Sequence, residues 1–257
     1  MAWSADPERG AWLIPSRGRL EKLARLMAAL MDSDCTTPGL VIIQHHETAA
    51  YQQVPLHPRW QLVAVDPESQ GDKIRAIWPK LQDLDWIGLG GDDQIPITRG
   101  WDRRLIQALT GTNLVSCNDD WAIHGDERHP AGRIAGFICF SGPLMRALNQ
   151  QIFLPGMHHT CLDDAYEHLD RLEPCRVILH DVLIKHKHFQ NSPDVAKDET
   201  YTRAYSHYGP SDEIIWRVWR DGGEAARAAQ RIRGLKVLLP AAGVAPQLLA
   251  ANAMAAS

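Results

Sequence analysis

Two adjacent carboxylates, Asp92 and Asp93, follow directly on a short apolar run at residues 85–89 and two glycines, Gly90 and Gly91. In an open α/β sheet, ligands gather beyond the carboxyl ends of the strands. Paired acids there suit Mg²⁺ or Mn²⁺, hard cations that prefer oxygen and bridge to phosphates. The glycines let backbone approach the ligand closely. The plainer alternative for so short a motif is an exposed acidic turn. A second group is Pro15, Ser16, Arg17, Gly18 and Arg19, at the end of another apolar run. Its two arginines can grip phosphate or a base edge; otherwise it is a solvated turn in which Ser16 caps the next helix. Asp163 and Asp164 open a helical pattern, where acids favour the helix N-terminus in any case and where one of them can deprotonate a hydroxyl. His186 and His188 stand two apart at the end of a strand-like run, so both imidazoles face one side. There they can ligate a metal or simply be exposed. His158 and His159 form a weaker cluster that reads as a loop.

The elements that must position these groups alternate. Apolar runs at residues 11–15, 40–44, 61–65, 85–89, 113–117, 136–140 and 176–187 read as strands. Helical spacing marks residues 20–31, 72–84 with a break at Pro79, 101–109, 162–172 and 211–236. This alternation predicts an α/β fold with a mostly parallel central sheet flanked by helices. Residues 190–210 are polar and Pro/Gly-punctuated, the pattern of a mobile loop.

Composition narrows the partners. Of 257 residues, 45% are apolar and 23% charged, ordinary for a globular chain. A net charge of -4 supplies no global attraction to nucleic acid or anionic membrane. The N-terminus lacks a basic start followed by an apolar stretch, so no secretory signal is expected. The Ala-rich, Pro-interrupted tail makes a poor membrane helix, and no membrane span is expected. Five widely spaced cysteines without a CxxC pair predict reduced core thiols rather than a disulfide framework or a cysteine zinc site. A cytoplasmic location fits.

Taken in order, WLIPSRGRLEKLARLMAAL, DWIGLGGDDQIP with GWDRRL, FICFSGPLMRAL, LDDAYEHL and IKHKHF resemble the motifs of the nucleotide-diphospho-sugar glycosyltransferases of GT-A fold, over residues 11–205. The type it resembles is soluble and family-two-like, bacterial or phage. The resemblance implies a GT-A domain at residues 1–210 and a C-terminal helical extension at 211–257 packed on it, ending in the Ala-rich tail. It implies donor contacts from Pro15, Ser16, Arg17, Arg19, Asp66, Lys73 and Asp92, with Asp92 and Asp93 holding Mn²⁺ or Mg²⁺ and Asp93 the surer ligand. It implies Asp164 or Asp163 as the base, His186 or His188 completing the metal shell, and a lid at residues 190–210 that excludes water. The expected donor is a UDP-sugar. Gln94 stands where related sequences continue the acidic run, and the acidic motif is Asp-Asp rather than Glu-Asp. Inverting and retaining chemistry both stay open.

For the acceptor, residues 217–236 carry six basic groups against two acids, a local charge of +4. Trp216, Arg217, Arg220, Arg227 and Arg231 can contact DNA bearing a hydroxymethylated base. An amphipathic helix with its tryptophans in the core is the alternative, and a surface glycan is the other acceptor. The same Asp/His set also suits a metal-dependent hydrolase or nucleotidyltransferase, or a degenerate sugar- or nucleic-acid-binding protein. Oligomeric state is not encoded in any visible motif.

Overall fold

A computed structural model describes residues 3–120, 137–148, 152–190 and 192–239. Eight strands form one curved sheet: β1 (Gly10–Pro15), β2 (Gly39–Gln44), β3 (Trp60–Val65), β4 (Trp86–Leu89), β5 (Gln94–Pro96), β6 (Leu114–Asn118), β7 (Ile138–Ser141) and β8 (Arg176–His186). Their order is β3-β2-β1-β4-β7-β6-β8-β5. The β3, β2, β1 and β4 strands are mutually parallel, as are β6 and β8, while β7 and β5 run against their neighbours. The helices are α1 (Leu20–Asp32), α2 (Thr48–Tyr51), α3 (Gln70–Ile77), α4 (Trp101–Gln107), α5 (Gly142–Ala147), α6 (Leu162–Leu172), α7 (Glu199–Arg203), α8 (Gly209–Asp221) and α9 (Glu224–Leu238).

The central strand shows why both faces are covered. Successive side chains of a strand point to opposite faces. Trp12 and Ile14 enter a core shared with Leu23, Leu26 and Leu30 of α1 and with Trp101 and Leu105 of α4. Ala11 and Leu13 enter the other core, with Ile74 and Ile77 of α3, Phe140 and Leu144, and Ala228 and Ile232 of α9. The Trp12 ring lies flat across β4, where a Cβ on Gly88 would stand 1.9 Å from it. That glycine is required by close approach, and the indole then packs 4.7 Å from Trp101 and 5.3 Å from Phe137, centroid to centroid.

The seven expected strands all form, within a residue or two of their expected ends among the described residues. Three differences matter. A short β5 follows the paired acids. The helix expected over 72–84 starts earlier and stops at Ile77, because Pro79 can only join a tighter turn at Trp78–Lys80. The expected loop over 190–210 is helical from Glu199, and α7 continues through a π-helical turn at Ala204–Tyr208 into α8. The helical run therefore crosses residues 210–211 without interruption, and α9 contributes core residues to the main sheet. All five cysteines are free; four are buried and Cys161 is half-buried. Among the described residues no helix is long and apolar enough to cross a membrane. The Ala-rich tail lies outside the described residues.

Candidate active site

A cavity of about 260 Å³ opens at the carboxyl ends of β1 and β4. Pro15, Ser16, Arg17 and Arg19 line one side, Gly90 to Gln94 the floor, Lys73 and Glu68 a second side, His186 and His188 a third, and Tyr201 and Tyr205 the side formed by the α7 region. Three segments far apart in sequence thus converge. The local cause is β5: its antiparallel pairing with β8 sets Gln94 opposite His186, and the Lys187 N–H donates to the Asp93 carbonyl at 2.8 Å. The glycine before the acids has its own reason, since a Cβ on Gly91 would lie 2.7 Å from Asp93 Oδ1.

Both carboxylates are buried, Asp92 at 3% and Asp93 at 7% exposure. Ser16 Oγ donates to Asp92 Oδ2 at 2.6 Å, and the Arg19 guanidinium reaches Asp92 Oδ1 at 3.1 Å, Asp93 Oδ2 at 3.5 Å and Asp198 Oδ1 at 2.8 Å. The Tyr201 hydroxyl donates to Asp93 Oδ2 at 2.6 Å. The two acids diverge as a result. Burial pushes Asp92 up, against the pull of Arg19, to about 6. Burial opposes ionisation of Asp93 too, but His186, Arg19 and the Tyr201 hydroxyl outweigh it and hold this carboxyl well below the usual range. One member of the pair stays firmly anionic; the other is poised.

His186 lies between two buried acids. Its Nε2 is 3.5 Å from Asp93 Oδ1 and its Nδ1 is 4.0 Å from Asp119 Oδ2. Burial disfavours the imidazolium, yet Asp93 and Asp119 reverse this and move its pKa upward. His188 packs against Tyr201, with ring centroids 4.5 Å apart, and burial followed by the charge of His186 lowers it to about 4. Lys73 is 1% exposed, and its Nζ donates to the Ser16 carbonyl at 2.6 Å. Burial lowers it to about 8, near the working range of a switchable cation.

Among the described residues no three His, Cys, Asp or Glu side chains form a ready-made metal site. The donor chemistry nevertheless fits a divalent cation. A carboxylate oxygen and an imidazole nitrogen 3.5 Å apart are too far for a good hydrogen bond. They are well spaced as two ligands of one ion with bonds of about 2.1 Å. Asp93 and His186 are therefore the pair that can hold it. Asp92 is committed to Ser16 and Arg19.

The other expected residues fall into two sets. Asp66 is 95% exposed at its side chain, lies 3.7 Å from His45, and is not on the cavity wall; Glu68 is there instead, ion-paired to Arg17 and Arg203. Asp163 and Asp164 occupy the first turn of α6, half-buried, and neither lines the cavity, although Leu162 beside them does. The basic residues near the C-terminus each have a partner within the chain. Arg217 pairs with Glu213 at 2.5 Å, Arg220 with Asp221 at 2.7 Å and Arg227 with Glu224 at 2.7 Å, while Arg231 donates to the Ala147 carbonyl at 2.6 Å. Trp216 and Trp219 pack against the core, the alternative weighed for them above. Four wall or near-wall residues went unassigned in the sequence: Asp119, Glu68, His159 and Tyr205. Asp119 had a signal, since Asn118-Asp119-Asp120 is an acidic pair after a strand, as Asp92-Asp93 is. His159 had only the weak His158-His159 pair, which read as a loop; Glu68 and Tyr205 had none.

No family model matches the chain, and no curated protein matches it in sequence. Among solved structures, a mannosyltransferase from Pyrobaculum calidifontis in complex with GDP-Man and Mn²⁺ superposes with a TM-score of 0.54 at 12% identity, covering 100% of this chain and 84% of that one. A 4-diphosphocytidyl-2C-methyl-D-erythritol synthase from Anaerococcus prevotii DSM 20548 superposes with a TM-score of 0.49 at 11% identity, covering 68% of this chain and 88% of that one. At such low identity the first likeness speaks to architecture alone, and the architecture is plain: this chain has the GT-A fold, with helices at its C-terminal end.

Proposed function

We propose that the protein is a glycosyltransferase that takes its sugar from a nucleoside-diphosphate donor bound in the cavity beneath α7. One observation carries this: Arg17, Arg19 and Lys73 share a cavity with Asp93 and His186, whose spacing suits a divalent cation. Cationic side chains in one cavity with a metal-compatible carboxylate make a cradle for a diphosphate. The GT-A neighbour solved with GDP-Man and Mn²⁺ agrees with this choice of ligand class.

In the mechanism, Arg17 and Lys73 take up the negative charge of the diphosphate and fix its position, which lowers the entropy cost of the reaction. When bound, the cation offsets charge that develops on the departing diphosphate. Asp119 Oδ2, 4.0 Å from Nδ1 of His186, acts on that ring through its charge, on the side away from the Nε2 that faces Asp93. Arg19, already between Asp92, Asp93 and Asp198, would add a third positive charge facing the donor phosphates, and Asp93 with His186 would hold the cation. Tyr201 and Tyr205 cover the site and limit water that would hydrolyse the donor.

The test is a melting panel of UDP- and GDP-sugars with and without Mn²⁺. Donor at about a hundred times its Kd raises the midpoint by roughly 5 °C or more, only with Mn²⁺, and Asp93→Asn abolishes the shift. Equal midpoints in every well would overturn the proposal. The same panel decides between uridine and guanosine donors.

A further inference from the structure

The loop ahead of α6 is held more firmly than a surface turn requires. The Asp212 carboxylate of α8, 0% exposed, accepts the backbone N–H groups of His158, His159 and Thr160, each at 2.8 Å, and the Thr160 hydroxyl at 3.2 Å. The His158 carbonyl accepts the Gly71 N–H at 2.7 Å, and the Met157 carbonyl accepts from Arg75 at 2.9 Å. His158 Nδ1 lies 3.1 Å from Asp72 Oδ2. Cys161, next along, sits in the left-handed region at φ 60, which costs a non-glycine residue about 1 kcal/mol. These bonds fasten the backbone and His158. None of the described residues hydrogen-bonds the His159 imidazole, which lines the same cavity as Asp93, His186 and Tyr205. Burial, then Arg19, lowers its pKa to about 4, so the ring is neutral at pH 7.

We propose that His159, rather than Asp163 or Asp164, is the general base of the transfer, with Asp212 as its positioning residue. This rests on the glycosyltransferase reading. The acceptor hydroxyl oxygen forms a bond to the anomeric carbon of the donor sugar. The bond from that carbon to the diphosphate oxygen breaks, and its electron pair leaves with the diphosphate. The hydroxyl proton passes to a ring nitrogen of His159 and then to solvent. A neutral imidazole without a hydrogen bond, on a loop clamped by a buried acid, puts an acceptor nitrogen at the cavity wall, where such a base must stand. The acids of α6 do not, since they stand off the cavity wall.

The experiment follows release of nucleoside diphosphate, with Mn²⁺ and water as acceptor, from whichever UDP- or GDP-sugar protects the wild type best. His159→Ala lowers kcat by about 100-fold at unchanged KM and with an unchanged Mn²⁺-dependent melting shift, and added imidazole restores part of the rate. Asp212→Asn lowers kcat as well, and the double variant is no slower than His159→Ala alone. Turnover of His159→Ala within threefold of wild type, or a loss that imidazole does not relieve, overturns the assignment. So does Asp164→Asn abolishing turnover while His159→Ala keeps it. If the wild type itself shows no Mn²⁺-dependent shift, the glycosyltransferase reading fails first and the base falls with it.

Discussion

Lys73 is the residue in which burial and function meet most directly. An ammonium that is 1% exposed is costly to keep charged, and its pKa near 8 records that cost. The sign follows from the direction of the shift. Below pH 8 the folded protein carries this charge against its burial; between pH 8 and the unfolded value of 10.5 only the unfolded chain keeps the proton. Stability from this group therefore rises with pH through that window. Anion binding runs the other way, because the free site loses its cation as pH rises past 8. Affinity for the nucleoside diphosphate should be about tenfold weaker at pH 9 than at pH 7, as measured by titration calorimetry. Lys73→Met should bind more weakly at pH 7 and show a flat profile. A wild-type affinity that is unchanged from pH 7 to 9 would remove Lys73 from the donor site.

At the scale of elements, α7 is the segment whose behaviour departs most from expectation. Its sequence reads as loop because Pro193, Asp194, Lys197 and Asp198 precede it without an apolar face. In the structure Asp198 caps the helix by accepting the Tyr201 N–H at 3.0 Å and also takes Arg19 and Lys22. The Tyr201 ring lies beneath both cations, 4.1 Å from the Arg19 guanidinium carbon and 4.4 Å from Lys22 Nζ. Distant partners thus supply what local propensity lacks. Tyr201→Phe deletes a buried hydrogen bond to a charged acceptor, worth about 1.5–3 kcal/mol. We expect a melting midpoint lower by roughly 5 °C and faster trypsin cleavage after Lys197. Wild-type cleavage kinetics would show that the hydroxyl does not hold α7 down.

For the molecule as a whole, the C-terminal helices share a core with the sheet. Ala228, Ala229 and Ile232 of α9 lie in one core with Phe140, Leu144 and Leu13. Ile232 is 0% exposed, so Ile232→Ala should cost about 2–5 kcal/mol in a single denaturation transition. The Mn²⁺-dependent donor shift should persist, since Ile232 does not line the cavity. A second, separate transition would instead mark α8 and α9 as an independent unit.

What could be read from one dimension was whatever depends on neighbours in the chain. The strands follow from apolar runs, α1 from the spacing of Leu23, Leu26 and Leu30, and the turn at residues 15–19 and the paired acids from strand ends that open onto one face. Pairings across the chain were not legible. The β5–β8 register that sets His186 beside Asp93, the Arg19 bridge from Asp93 to Asp198, and the clamp of Asp212 on the loop of His159 join residues separated by between 52 and 179 positions. The basic run near the C-terminus shows the opposite case: its pairs with Glu213, Asp221 and Glu224 lie one to four residues apart and follow from helical spacing. Local propensity specifies elements, whereas a site depends on which buried charges the folded chain forces together.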